Sequence, residues 1–427
     1  MNFYTFICFI LLIYSSDIPG PSPNILFLTV DTLRADHLSC YGYQLPLSPN
    51  IDSLAQQGVV FENCVAEVPL TCPSFSSMLT SQCPRTIGVT KNGLGISKKR
   101  TTVPEILKEN GYFTFCIQSN WTLKSKLSGL HKGFDIYDDD FHVKRWGIFS
   151  SERLADEVTK RAINTLENRP KGKPFFGWIH YSDPHAPYHF RKDYNLHTEQ
   201  PKEDKRITKI INYDSEVRFT DEQISILLQH LPENTSIVFV ADHGESLYEH
   251  NYLGHGRKLY QNEVRIPFII VSQGVKSNRT NIPVRGIDIG PTILGIANIQ
   301  KDRDMLGLDV LNEHVPDNRI RVIETYGGAV PKIPIIRLLM KKSGPVMQSA
   351  IMGKWKLIVK GKKRELYNIF DDPKEEKNVS SKYPDKVLEL QKLISKWSKT
   401  TPVLKHRNDD KLSNEDLEVL RSMGYID

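Results

Sequence analysis

Acidic and imidazole side chains directly follow two apolar segments of the chain. Asp31 comes after Asn24–Val30, and Asp242 with His243 comes after Ser236–Ala241. A single Asp in such a place is often only a helix cap, but an adjacent carboxylate and imidazole can bind one divalent ion together. Functional groups of open α/β sheets gather at the carboxyl ends of strands, so these three side chains are candidate metal ligands.

A third apolar segment, Phe175–His180, also ends in polar side chains. It runs into His180, Asp183 and His185. Gly244, next to the acid–imidazole pair, offers the free backbone geometry that would let both side chains turn onto one ion. The three segment ends together predict one polar site.

Thr71 is a candidate nucleophile because of its neighbours. In the segment PLTCPS, residues 69–74, Pro73 suits the first turn of a helix, so Thr71 would lie at or beside the helix N-terminus. There the helix dipole and free N–H groups favour an anion and a deprotonated hydroxyl. Position alone favours the simpler role of an N-cap.

The apolar pattern predicts the elements that position these groups. Short apolar runs alternate with segments that have apolar residues at helical spacing. The predicted strands are 24–30, 113–117, 175–180, 236–241 and 268–271, and the predicted helices are 52–58, 103–110, 154–168 and 217–231. This alternation indicates an α/β domain with a mainly parallel central sheet flanked by helices. The charged stretch His197–Lys209 is predicted to be a surface loop or insertion.

The pattern changes near residue 316, which predicts a main domain over 23–315 and a small C-terminal α+β subdomain with a tail over 316–427. Ala350–Lys360 and Arg364–Ile369 have the pattern of antiparallel strands, and Lys386–Trp397 that of an amphipathic helix.

The N-terminal residues differ from the rest. Phe3–Tyr14 is uncharged and nearly all apolar, and it is too short to span a bilayer as a helix. It suits a signal peptide over residues 1–20, which predicts a secreted or otherwise extracytoplasmic protein. Because no Lys or Arg precedes the run, an uncleaved membrane anchor and a mispredicted start remain alternatives.

Composition narrows the function classes. The 427 residues are 39% hydrophobic and 25% charged with a net charge of +6, which is typical of a globular protein. The sequence contains no basic patch of the kind that binds nucleic acid. Its mild net positive charge favours anionic substrates. The five cysteines after the N-terminal run, an odd number without a CxxC pair, predict one or two disulfides or buried free thiols. They are Cys40, Cys64, Cys72, Cys83 and Cys116.

The motifs together resemble the sulfatase family within the alkaline phosphatase superfamily. The similar segments are VDTLRADHLSCYG (30–42), SPNIDSLAQQGVVF (48–61), TCPSFSSMLT (71–80), HYSDPHAPY (180–188), ADHG (241–244), GHGRKLYQNEVRIP (254–267) and ELYNIFDDP (365–373). The resemblance covers roughly residues 23–425. It implies an alkaline-phosphatase-like sandwich with a small C-terminal subdomain.

The chain departs from sulfatases proper at their nucleophile motif. That motif is Cys or Ser, any residue, Pro, any residue, Arg, and its first residue is oxidised to formylglycine. Here Thr71 and Phe75 occupy the first and last places, and Cys72 lies one place too late. Threonine cannot become formylglycine because its β-carbon bears a methyl group.

Four further departures concern residues that bind sulfate or metal in the family. Asn120 and Thr122 stand at the positions of a sulfate-binding Lys and His, and they are the candidate substrate-binding residues here. His255 replaces a Lys, and Thr32 replaces the second Asp of the opening pair.

These departures make the site similar to lipoteichoic acid synthases and phosphoethanolamine transferases, which use a Thr nucleophile. That resemblance implies that Asp31, Thr71, Asp242 and His243 hold one divalent metal ion. Zn²⁺ or Mn²⁺ is favoured over Ca²⁺, because Ca²⁺ is a hard ion that takes oxygen ligands.

The resulting hypothesis is a hydrolase that cleaves a sulfate or phosphate ester through a covalent Thr71 intermediate. His185 and His255 are the expected catalytic imidazoles, and His250 is a possible further substrate contact. The alternatives are a transferase of phosphoethanolamine or phosphoglycerol groups and a catalytically silent metal-binding relative. The expected partner is an anionic ester on a glycan, a lipid headgroup or a small molecule. The sequence indicates no obligate protein partner.

Overall fold

The structure is a computed structural model that describes residues 22–141, 152–198, 204–327, 344–401 and 403–404. The signal-peptide prediction for residues 1–20 lies outside these residues. Within them, none of the helices is both long and apolar enough to span a membrane.

Strands and helices alternate along the first two thirds of the chain. In chain order the strands are β1 Asn24–Val30, β2 Val59–Phe61, β3 Cys64–Val65, β4 Phe113–Ile117, β5 Ile136–Asp138, β6 Phe175–Tyr181, β7 Thr235–Ala241, β8 Ser246–Leu247, β9 Leu253–Gly254, β10 Arg265–Ile266, β11 Phe268–Val271, β12 Asn278–Thr280, β13 Val284–Arg285, β14 Arg321–Thr325, β15 Met347–Met352, β16 Trp355–Lys360 and β17 Lys363–Asn368. The α-helices, numbered α1 to α10, are Pro49–Gln57, Thr71–Thr80, Pro84–Ile87, Val103–Glu109, Ser125–Ser128, Ala155–Glu167, Lys205–Leu228, Gln261–Val264, Ile289–Ile296 and Pro384–Thr400.

The central sheet has eight strands in the order β12-β2-β11-β7-β1-β6-β4-β5. Strands β7, β1, β6, β4 and β5 run parallel, and β11 is antiparallel to its neighbours β7 and β2. The predicted α/β fold with a mixed, mostly parallel sheet is therefore confirmed. Helix α7 contacts both α1 and α6, while α2, α4 and α9 contact one another.

The register of the sheet brings the strand ends to one level. Val30 of β1 lies opposite Ala241 of β7 on one side and Tyr181 of β6 on the other. The side chains that follow these residues therefore emerge at the same edge. The three strands are buried along almost their whole length, which explains their continuous apolar sequences.

Helix α7 differs from its prediction. It begins at Lys205, twelve residues before the predicted start, so the C-terminal part of the expected loop His197–Lys209 is helical. The Asp204 carboxylate caps the helix by accepting from the N–H groups of Arg206 and Ile207. Ile207, Ile210 and Ile211 have helical spacing in these turns, but the first turns are exposed or only partly buried and rich in charge, so the stretch was interpreted as a loop.

The C-terminal sheet is antiparallel in the order β14-β15-β16-β17. The segment 350–360, predicted as one strand, forms parts of β15 and β16, because the chain turns at Gly353, which has a φ of 55°. Helix α10 packs on this sheet through Leu390 and Ile394. The five cysteines named above are all free thiols, in agreement with the second of the two alternatives.

Candidate metal centre and active site

Asp31, Asp242 and His243 converge as predicted. One ligand atom from each lies within 4.8 Å of the others, and all three side chains are fully buried. The central position of β1 between β6 and β7 produces this convergence, since it brings the residues after β1 and β7 side by side.

Backbone donors fix the orientation of the Asp242 carboxylate. Its Oδ1 accepts from the N–H of Thr32 at 3.1 Å and from the N–H of His243 at 2.9 Å. Its Oδ2 has no hydrogen-bond partner among the described residues and lies 3.3 Å from His243 Nε2. Oδ2 is therefore the oxygen available to a metal ion.

His243 presents a lone pair to the same space. Its Nδ1 lies 2.9 Å from the carbonyl oxygen of Gly244, which only accepts hydrogen bonds, so Nδ1 carries the proton. Gly244 is required for close packing, because a Cβ there would lie 2.1 Å from the carbonyl oxygen of Asn262. It does not have a positive φ, so the expected backbone freedom is not the reason for this glycine.

A hydrogen bond from Asn120 fixes the orientation of the Asp31 carboxylate. The Asn120 amide donates to Asp31 Oδ2, while Asp31 Oδ1 has no partner in the described part of the chain. Asn120 Oδ1 accepts from both the N–H and the hydroxyl of Thr122, each at 2.8 Å. The two predicted substrate-binding residues thus support a metal ligand in this structure, and both are buried.

His180 adds another acceptor beside Asp31. The Thr29 hydroxyl oxygen accepts from Trp178 Nε1 and lies within bonding distance of Ile179 O and His180 Nδ1. All three contacts are satisfied when Thr29 donates to Ile179 O and His180 Nδ1 donates to Thr29. His180 Nε2 then carries a lone pair, 3.8 Å from Asp31 Oδ2, with no other partner among the described atoms.

The excess of acceptors fits a bound cation. Asp31 Oδ1, Asp242 Oδ2 and the Nε2 atoms of His180 and His243 face one buried region with few donors. Burial raises the pKa of Asp31 to about 7 and that of Asp242 to about 6. It lowers the pKa of His180 and of His243 to about 4, so both imidazoles are neutral at pH 7. Asp31, Asp242 and His243 can hold a divalent metal ion.

Thr71 is the first residue of helix α2, and Leu70 is the N-cap, so the Thr71 hydroxyl does not cap the helix. Its Oγ1 lies 3.4 Å from His243 Nε2 and is fully buried. The Ser74 hydroxyl donates to the carbonyl oxygen of Asp242 at 2.7 Å, which ties the helix N-terminus to the end of β7. Thr71 thus lies beside the three converging residues, and its role as a metal ligand stays a prediction.

The N-terminus of α2 acts on Thr71 through its dipole. The Cys72 N–H donates to Asn92 Oδ1 and the Ser74 N–H to the carbonyl oxygen of Leu70, while Pro73 has no N–H. These three positions offer no free donor to an anion, which corrects the expectation from sequence. The helix dipole still favours negative charge at its first residue.

Cys72 and Phe75, which distinguish the nucleophile motif of this chain from that of sulfatases proper, both point into the core. The Phe75 ring lies 4.9 Å from the rings of Trp178 and His180 and is fully buried. Cys72 Sγ lies 3.4 Å from the carbonyl oxygen of Leu94 and 3.9 Å from Ser76 Oγ. Burial raises the pKa of the Cys72 thiol to about 12, so it is not a nucleophile at neutral pH.

His255 and His185 lie on one side of the metal ligands. The His255 ring centroid is 4.4 Å from that of His243 and 5.2 Å from that of His185. Burial alone would lower the pKa of His255, but the Glu245 carboxylate, 3.1 Å from Nδ1, raises it to about 9. His255 is therefore a cation at neutral pH. His185 Nδ1 donates to the carbonyl oxygen of Ala186.

His250 makes different contacts. It stacks on Tyr260 with ring centroids 3.5 Å apart, and its Nε2 lies 3.1 Å from the carbonyl oxygen of Lys374. It lines a polar cavity of about 760 Å³ together with Glu249 and Phe370. Its predicted role in substrate binding stays a prediction.

Sequence reasoning missed Glu245 and Glu263. Glu245 follows the Asp-His-Gly triplet directly, so an acid next to a candidate ligand pair was a usable signal. Glu263 is fully buried on the short helix α8, and burial raises its pKa to about 8. Its place in GHGRKLYQNEVRIP gave no such signal.

Metal-free protein should lose thermal stability as the pH rises from about 6.5 to about 9. Asp31, Glu263 and His255 have folded-state pKa values of about 7, 8 and 9, each above its unfolded value. In this pH window the folded chain therefore binds more protons than the unfolded chain does. Its stability decreases as the pH rises and these protons dissociate. The lowered pKa values of His180 and His243 make the stability increase with pH, but only below about pH 6.5.

Thermal melts after chelation test this pH dependence. In Glu263→Gln the melting temperature should fall less steeply with rising pH. Added metal should remove the part of this fall that comes from Asp31. A melting temperature that is constant or rises across the window would contradict the assignment of these protonation states.

Comparison with known proteins identifies relatives over about two thirds of the chain or more. The model of the family described as Sulfatase matches residues 23–299. An N-acetylglucosamine-6-O-sulfatase of Bacteroides thetaiotaomicron is 28% identical over 389 residues, covering 67% of this chain and 69% of that protein. An ulvan-active sulfatase of Formosa agariphila is 27% identical over 364 residues, covering 73% and 70%.

Solved structures share the fold at lower identity. One, solved in complex with its substrate D-glucosamine-2-N,6-O-disulfate, has a TM-score of 0.72 at 22% identity and covers 91% of this chain and all of that one. A phosphonate monoester hydrolase of Agrobacterium radiobacter has a TM-score of 0.72 at 16% identity, covering 92% and 98%.

Proposed function

Because the chain belongs to the sulfatase family, whose members hydrolyse sulfuric esters, we propose that it cleaves a sulfate ester of a glycan with Thr71 as the nucleophile. The observation that carries this proposal is the position of Thr71 Oγ1, 3.4 Å from His243 Nε2 at the edge of the metal ligands. The neighbouring nucleophilic side chains of the motif face other groups, since Cys72 Sγ lies 3.4 Å from the carbonyl oxygen of Leu94 and the Ser74 hydroxyl donates to the carbonyl oxygen of Asp242.

One divalent ion held by Asp31, Thr71, Asp242 and His243 completes the proposed site. Zn²⁺ or Mn²⁺ is favoured over Ca²⁺ because one ligand is an imidazole nitrogen. When bound, the ion would lower the pKa of the Thr71 hydroxyl and polarise the ester oxygen.

The reaction proceeds in two displacements. The Thr71 hydroxyl loses its proton to solvent, Oγ1 attacks sulfur in line, and the bond between sulfur and the substrate alcohol oxygen breaks. Water then attacks the sulfur of the Thr71 sulfate ester, which restores the hydroxyl and releases sulfate and a proton.

The leaving alcohol needs a proton in the first displacement. His255 is the best donor, because Glu245 keeps its imidazole protonated at neutral pH. His185 lies beside it and is the second candidate. General acid catalysis of this kind contributes about 10²–10⁴-fold in rate.

The glycan part of the proposal is supported by the relatives. The two curated relatives described above are named for sulfatase activity on N-acetylglucosamine and on ulvan. The mild positive charge of the chain is consistent with an anionic substrate.

A phosphate ester is the second candidate. Thr71 itself favours it, because threonine cannot supply the formylglycine of sulfatases proper, and Thr nucleophiles occur in the phosphoryl-transferring relatives that the motif resembles. The same two displacements apply with phosphorus in place of sulfur.

A side-by-side assay separates the two candidates. We expect metal-loaded protein to release nitrophenol from nitrophenyl sulfate, and to desulfate 6-O-sulfated N-acetylglucosamine, faster than it cleaves the nitrophenyl phosphate monoester or diester. Chelated protein and Thr71→Ala serve as matched blanks. Faster turnover of either phosphate would replace the sulfate proposal, and no turnover of any ester would contradict the hydrolase assignment.

A further inference from the structure

Thr32 has an unusual backbone at the edge of the proposed metal site. Its φ is 56°, in the left-handed region, and the residue is fully buried. A β-branched residue rarely adopts this conformation, because its side chain clashes with the backbone. Such outliers persist only where surrounding contacts hold them.

The turn at Thr32 sets the direction of one hydrogen bond. The N–H of Asp31 still donates to the carbonyl oxygen of Tyr181 at 2.8 Å, as the continuation of β1 requires. The reversal at Thr32 then aims its own N–H at Asp242 Oδ1. With the His243 N–H on the same oxygen, Asp242 is left with only Oδ2 for a metal ion.

A single hydroxyl bridges this turn from helix α7. Tyr213 donates its O–H to the carbonyl oxygen of Thr32 at 2.9 Å and accepts from the N–H of Arg34 at 2.9 Å. The Tyr213 ring is itself fixed, since it lies edge-on to His37 at 5.1 Å and to Tyr188 at 5.9 Å. The ring is fully buried.

We propose that Tyr213 is a positioning residue of the metal centre. Its hydroxyl holds Thr32 in the left-handed conformation, and through Thr32 it orients the Asp242 carboxylate. The proposal rests on the metal site of the proposed function but not on the identity of the ester. Outer contacts of this kind contribute about 10–100-fold to metal affinity.

Tyr213→Phe removes only the hydroxyl and tests the first step. We expect the dissociation constant for Zn²⁺, measured by competition with a chromogenic chelator, to rise by about 10–100-fold. The matched control is Tyr181→Phe, another fully buried tyrosine, whose hydroxyl contacts Thr159 Oγ1 at 2.8 Å. The control should bind Zn²⁺ like the wild type.

Thr32→Gly tests the second step, because glycine adopts a positive φ without strain. It should raise the melting temperature of metal-free protein. In the Thr32→Gly background, Tyr213→Phe should cost much less affinity than it does in the wild type. A general loss of packing would cost the same in both backgrounds.

The outcomes separate this proposal from the enzymatic one. Equal Zn²⁺ affinity of wild type and Tyr213→Phe overturns it, and so does an equal loss with and without Thr32→Gly. If Tyr213→Phe does not fold, Thr32→Gly tests the proposal alone. A lowered melting temperature of Thr32→Gly would contradict the backbone strain at Thr32 on which the proposal depends. Wild-type protein that binds Zn²⁺ but cleaves no ester refutes the proposed function alone.

Discussion

Thr71→Ala should abolish ester hydrolysis while the protein stays folded. We expect a loss of at least about 10³-fold in kcat, because removing a nucleophile that acts together with its activating groups costs orders of magnitude. The hydroxyl makes one long contact, at 3.4 Å, so its loss should cost about 1 kcal/mol of stability or less. Initial rates and urea unfolding curves of both proteins measure the two effects.

Two further variants make this result specific. Thr71→Ser keeps the hydroxyl and should keep measurable turnover. Cys72→Ala should keep most activity, because Cys72 Sγ faces Leu94 and Ser76 inside the helix packing. An active Thr71→Ala with an inactive Cys72→Ala would overturn the mechanism. It would indicate instead a sulfatase that depends on formylglycine.

Asp242→Ala should remove the metal ion. Wild-type protein should contain about one transition-metal ion per chain, and the variant should lose more than about 10² in affinity, since even outer contacts of a metal site are worth 10–100-fold. Asp242→Asn should have the same effect with less disturbance, because its amide oxygen can still accept from Thr32 and His243.

Elemental analysis of the purified proteins measures the metal content directly. The matched control is Asp221→Ala, which removes another buried carboxylate that accepts from Asn50 and from the N–H of Ile51. The control should retain the metal. Equal metal content in wild type and Asp242→Ala would contradict the assigned site.

The sequence predicted the central sheet and the convergence of Asp31, Asp242 and His243 well. Strands such as β1 and β4 were predicted at their observed bounds, because parallel strands buried on both faces have continuous apolar sequences that end abruptly. The ligands lie at those ends, so their convergence follows once the strands are adjacent. The motifs identified the family for the same reason, since they surround the strand ends.

Contacts made across the chain were not predictable in this way. The hydroxyl of Tyr213 meets Thr32 over a separation of 181 residues, and no local pattern marks a tyrosine on a helix as a support for a turn. The hydrogen bond from the Asn120 amide to Asp31 was likewise not foreseen, and the predicted contact of Asn120 with substrate stays a prediction. The early start of α7 was missed because its first turns are rich in charged residues, although Ile207, Ile210 and Ile211 have helical spacing.

The mass of the peptide that contains Thr71, isolated after a rapid acid quench during turnover, tests the central claim most directly. A fraction of that peptide should carry one sulfuryl group on Thr71, or one phosphoryl group if a phosphate ester is the substrate, and Cys72 should be unmodified. The same peptide from Thr71→Ala should carry neither group. Formylglycine at Cys72, or a covalent adduct on a residue other than Thr71, would contradict the account.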